Sequence, residues 1–129
     1  MMASRNRRWT VAVLLALAVT AGACATRTVG HVLADPGRYR DRTVSLRGNV
    51  VESYSLLGRG FYRLEDQTGD LWVFADDGVP RQGARVRASG TIQDGFNLGG
   101  LEGALGLPEQ VRSRIANGLL MLERDRDAD

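Results

Sequence analysis

TVSLRGNVVE, residues 43–52, alternates throughout: Val44, Leu46, Gly48 and Val50 on one side, Thr43, Ser45, Arg47 and Asn49 on the other. A period of two is that of a strand with one face buried. FYRLEDQTGDLWVFA, residues 61–75, reads as two more strands, Phe61–Glu65 and Leu71–Ala75. The polar run Asp66-Gln67-Thr68-Gly69-Asp70 between them, with its glycine near the end, reads as a hairpin turn. RVRASGTIQ, residues 85–93, is a fourth strand with Val86, Ala88, Gly90 and Ile92 inward. Leu57–Gly60 connects the first two strands, and Asp76–Gly83, which holds Pro80, is a loop.

Outward from this block the pattern changes. Upstream, Val29–Leu33 is a helical turn that Asp35-Pro36-Gly37 breaks. Downstream, residues 96–107 are Gly-rich and read as a flexible connection. PEQVRSRIA, residues 108–116, starts on Pro and spaces Val111 and Ile115 by four, the mark of a short amphipathic helix. Asn117-Gly118 ends it, and Leu119–Glu123 is a closing fifth strand. The charged segment after it is expected to be a frayed tail. Glycines inside the first and fourth strands, Gly48 and Gly90, suit the bends of a small closed sheet.

Three runs carry a family resemblance: Val44-x-Leu46-x-Gly48-x-Val50; Tyr62-x-Leu64-x-Asp66-x-Thr68-Gly69-x-Leu71-x-Val73; and Pro80-x-x-Gly83-x-x-Val86-x-Ala88-x-Gly90-x-Ile92. Together they resemble the OB-fold, in its bacterial envelope and anticodon-binding-like branches. The resemblance implies a mainly β, five-stranded barrel with its usual ligand platform on strands two and three. It specifies function poorly, because OB barrels host many unrelated functions. One departure is expected. Asp76–Ala84 leaves no room for the usual helix between strands three and four, and the helix falls between strands four and five instead.

The N-terminus has a different character. Arg5, Arg7 and Arg8 precede the apolar run VAVLLALAV, residues 11–19, and small residues lead to Cys24. This is the three-part shape of an export signal, too short to span a bilayer. Ala21-Gly22-Ala23-Cys24 resembles a lipobox, where signal peptidase cuts before a cysteine that carries lipid. Ala21 departs from the usual Leu. The organisation expected is a signal peptide at 1–23, a lipid-anchored tether and short helix at 24–34, the OB-fold domain at 35–124 and a charged tail at 125–129. By resemblance to lipoprotein sorting, Ala25 implies the outer membrane, facing the periplasm.

Cleavage at Cys24 also changes the electrostatics. The chain carries 17 basic residues, all Arg, and 15 acidic ones. Residues 24–129 keep 14 Arg against the same 15 acids, a net charge of −1. The excess positive charge that would argue for a nucleic-acid binder disappears. Cys24 is the only cysteine, so no internal disulfide can form.

No catalytic constellation stands out, and no cofactor is implied. His31 is the only histidine and has no partners arranged near it. OB-fold haem chaperones attach haem through a C-terminal histidine, which is lacking here. Asp66, Asp70, Asp76 and Asp77 do not alternate as calcium loops require. The glycines at 99, 100, 103 and 106 make no phosphate loop, since no Gly-Lys-Ser/Thr follows. No metal site is expected. Outward positions on the first three strands are Arg47, Asn49, Phe61, Arg63, Trp72 and Phe74. Aromatics beside Arg form either a contact surface for bases, sugars or protein side chains, or a face covered by the 108–116 helix or the Gly-rich loop. The expectation is a non-enzymatic, lipid-anchored envelope protein whose barrel binds a protein, glycan or small ligand. The alternative is a single-stranded nucleic-acid binder, which the charge balance and the export signal disfavour.

Overall fold

The computed structural model describes residues 27–95 and 106–129. The elements are α1 (Val29–Ala34), α2 (Pro36–Tyr39), β1 (Thr43–Leu56), β2 (Arg59–Asp66), β3 (Gly69–Ala75), β4 (Arg85–Asp94), α3 (Glu109–Ala116) and β5 (Leu119–Ala128). The five strands close into a barrel in the order β1-β2-β3-β5-β4. All neighbours are antiparallel except β3 and β5, which run parallel. The expected five-stranded barrel with a helix between strands four and five is therefore present. The Gly-rich connection lies largely outside the described residues.

The alternation read from the sequence points as expected. Val44, Leu46, Val50, Leu64, Val73, Val86, Ala88 and Ile92 are buried in one cluster inside the barrel. The glycines allow tight approach. A Cβ on Gly48 would stand 2.4 Å from the Glu65 carbonyl oxygen, and one on Gly90 would stand 2.1 Å from that of Leu122. Both are distances that real Cβ atoms do not adopt. Bulges fall nearby, between Val50 and Glu52 on β1 and between Ser89 and Gly90 on the β4–β5 ladder. Each adds twist that helps a small sheet close.

The two ends of the barrel are closed differently. At one end α1 inserts Val29 and Val32, both fully buried, into the barrel cluster. Thr28 caps the helix by accepting from the His31 amide at 3.2 Å, and the His31 ring accepts from the Thr28 amide at 3.5 Å. The β2–β3 turn pins the same helix. The Asp66 carboxylate accepts from the Val29 amide at 2.9 Å, and the Thr68 hydroxyl accepts from the Gly30 amide at 2.7 Å. The short helix expected in residues 24–34 is thus present as α1, and its two buried valines make it a lid on the barrel. Among the described residues, no helix is long and apolar enough to cross a membrane.

Toward the other end a polar cluster joins the apolar interior. Tyr62 is fully buried, and its hydroxyl donates to Glu123 at 2.7 Å. Arg126 donates to both Glu123 oxygens at 3.1 Å and to the Gly78 carbonyl at 3.1 Å. Burial, then the adjacent Glu123 carboxylate, push the Tyr62 hydroxyl well above its ordinary pKa against the opposing pull of Arg126, so it stays a donor. Arg126 belongs to the segment expected to fray. Instead β5 runs to Ala128 and pairs with β4 as far as Val86. Its composition hides the strand because the inward charge of Arg126 is neutralised within the fold.

Candidate binding surface

The six outward residues singled out from the sequence do not form one open surface. Phe61 is fully buried and Trp72 is 6% exposed. They lie on the outer face of the barrel, in a second cluster with Leu107, Val111, Ile115 and Leu120. Tyr54, Phe74 and Leu122 pack against it. The helix-covered reading is the one realised: α3 lays Val111 and Ile115 over the aromatic face. Phe61 and Phe74 meet at 5.2 Å between ring centroids, and Tyr54 and Trp72 at 6.2 Å. Phe61 and Trp72 therefore offer no free face on which a base or sugar could stack, while Tyr54 and Phe74 keep part of their surface exposed.

Arg63 is likewise occupied. Its guanidinium lies 2.9 Å from Glu52, 2.8 Å from Asp70 and 3.7 Å from Glu65. Burial alone would lower its pKa, but the hydrogen bonds and charges of Asp70 and Glu52 raise it. A cation matched by three carboxylates has little left for a ligand. The covering helix carried a signal in the sequence. Val111 and Ile115 require an apolar partner face, and Phe61, Trp72 and Phe74 are the outward residues that supply one.

Arg47 and Asn49 stand elsewhere. They line an open groove of about 590 Å³ with Arg27, Arg85, Glu65 and Gln67. Its floor is the close approach of β1 and β2 at Gly48. Three arginines reach it from three segments: Arg27 just before α1, Arg47 on β1 and Arg85 at the start of β4. The nearby acids are partly spent. Asp66 accepts from the amides of Val29, Thr68 and Gly69 and from the Thr68 hydroxyl. Burial pushes its pKa up, but the Thr68 hydroxyl and these three amides outweigh that and hold it below the usual carboxylate value. Glu65 is drawn toward Arg63. Asp129 sits across the arginines, 3.3 Å from Arg85 and 3.9 Å from Arg47. The two guanidiniums therefore converge on a position where a carboxylate already rests.

The groove was not legible in the sequence. Arg27, Arg47 and Arg85 are far apart in the chain, and only barrel closure beside the α1 lid brings them together. Among the described residues, no group of His, Cys, Asp and Glu is arranged to hold a metal ion.

No protein-family model matches the chain, and no curated protein matches it. Solved structures do. The hypothetical protein ygiW from E. coli superposes with a TM-score of 0.51 at 18% identity, over 83% of this chain and 92% of that one. A protein assigned as an aspartyl-tRNA synthetase from Leishmania major Friedlin gives 0.55 at 13% identity, over 81% of this chain and 21% of that one. The asparaginyl-tRNA synthetase from Pyrococcus horikoshii gives 0.52 at 12% identity, over 81% and 22%. Identities this low show the fold alone, and the chain spans about a fifth of either synthetase. With the strand order, they make the chain an OB-type barrel. Its aromatic outer face packs under α3, and an open groove lined by three arginines together with Glu65 and Asp66 lies beside the α1 lid.

Proposed function

We propose that the chain is an exported, lipid-anchored, non-enzymatic binding protein of the cell envelope, whose working surface is the Arg27–Arg47–Arg85 groove. The ligand is an anionic group carried by a protein, a glycan or a small molecule. The observation that carries this reading is the convergence of three arginines on one open groove, two of them already holding the Asp129 carboxylate. A planar guanidinium matches carboxylate and phosphate geometry through paired hydrogen bonds. Export and anchoring rest on the N-terminal signal shape and on Cys24. Ala25 favours the outer membrane by the same resemblance.

Two measurements test this. In a bacterial host, Cys24→Ala should move the protein from the membrane to the soluble fraction. An unchanged distribution would refute the anchor. For the groove, Arg47→Gln with Arg85→Gln should weaken binding to an acidic ligand surface, and unaltered binding would refute it.

Single-stranded nucleic acid is the second reading, favoured by the same arginines in an OB-type barrel. Against it stands the burial of Phe61 and Trp72, since sequence-tolerant strand binding draws on exposed aromatic rings. Oligonucleotide affinity that falls steeply with salt would revive it, because phosphate contacts release counterions.

A further inference from the structure

The position of the groove relative to Cys24 narrows its ligand. Arg27 is both a wall of the groove and the third residue after Cys24. Three residues span at most about 11 Å when fully extended. The adjacent Thr28 caps a helix that Asp66 and Thr68 clamp onto the barrel, so the groove cannot swing far from the point of attachment. A chain held by lipid at Cys24 therefore carries these arginines close to the bilayer surface. The reach is comparable to the distance over which surface charge acts, about 8 Å at physiological salt.

The strand ladder brings charges of both signs together there. Arg47 lies directly opposite Arg87 across the β1–β4 pair. Like charges in that position destabilise a sheet unless something offsets them. Asp127 faces Arg87 on β5, and Asp129 lies against Arg47 and Arg85. One anionic group, the Asp129 carboxylate, thus already lies between the Arg47 and Arg85 guanidiniums. Its open shape admits a headgroup entering from outside.

We infer that the groove binds the phosphate headgroups of anionic phospholipids in the membrane that anchors the chain, fixing how the barrel sits on that surface. The inference rests on the reading of Cys24 as the lipid attachment site, but its test does not. Residues 24–129 with Cys24→Ser, which contain every described strand and helix, are mixed with vesicles of phosphatidylcholine alone or of equal phosphatidylcholine and phosphatidylglycerol. The bound fraction is then measured by flotation. Binding should be strong only on the anionic vesicles. Each groove arginine near such a surface is worth about a fivefold change in partitioning, so Arg47→Gln with Arg85→Gln should lower it by about twentyfold or more. Arg114→Gln, on the exposed side of α3, should change it by less than about twofold. Equal binding to both vesicles, or an unaltered double variant, would overturn the inference. So would tighter binding of inorganic phosphate or of an oligonucleotide than of the anionic vesicle. The first of those would mark a soluble anion as the ligand, the second a nucleic acid. Failure of the anchor is read separately, from the fractionation of Cys24→Ala.

Discussion

Leu57 sits at the tip of the β1–β2 hairpin with φ 54°, followed by Gly58 with φ 79°, and it is 94% exposed. Two positive φ values make this a type I′ turn, for which Asn-Gly is the favoured pair. A leucine there pays about 1–2 kcal/mol for the left-handed conformation. Leu57→Asn should therefore raise stability by about 1 kcal/mol in urea unfolding. Asp66 acts in the opposite sense, because its carboxylate joins the α1 lid to the β2–β3 turn. Asp66→Ala should cost about 1–3 kcal/mol. Its folded pKa lies below the unfolded value. Its contribution is therefore complete above the unfolded pKa of about 4 and fades as pH falls through the lower folded value. The stability of Asp66→Asn should accordingly fall less between about pH 5 and pH 2 than that of the parent chain. Glu123 has a side chain only 7% exposed and serves both Tyr62 and Arg126. Glu123→Ala should cost about 3 kcal/mol, the low end for a broken buried pair, because Arg126 retains 21% exposure.

At the scale of elements, α3 and β5 show what the sequence disclosed and what it withheld. The inward and outward parity of β1, β2, β3 and β4 followed from alternation alone. Covering of the outward aromatics was open, because no local pattern says which face a four-spaced helix will meet. The run of β5 past Glu123 was hidden by charge. Arg126 looks like tail composition until Glu123, the Tyr62 hydroxyl and the Gly78 carbonyl surround it. The covering helix can be tested on its own. Ile115 is fully buried against Trp72 and Leu120. Ile115→Ala should cost about 2–5 kcal/mol. The sequence has two tryptophans, Trp9 and Trp72, so in residues 24–129 the emission reports Trp72 alone. That emission should shift to the red in the variant, and an unshifted spectrum would mean that α3 does not cover the barrel.

In the whole molecule a feature of the sequence meets a feature of the fold. The proposed export signal and the proposed anchor at Cys24 are read in one dimension and belong to residues that precede the described barrel. The groove of Arg27, Arg47 and Arg85 exists only in three dimensions, because barrel closure and the α1 lid assemble it. Neither carries the proposal alone. An anchor without the groove says where the chain resides, and a groove without the anchor leaves its anion open. Asp129 links the tail to this site, and Asp129→Asn should tighten binding of anionic vesicles by removing a competing carboxylate. The most direct test of the central claim is mass spectrometry of the protein extracted from bacterial membranes. The expected result is a chain that begins at Cys24 and carries diacylglycerol on its sulfur. An N-terminus at any other residue, or an unmodified Cys24, would contradict the account.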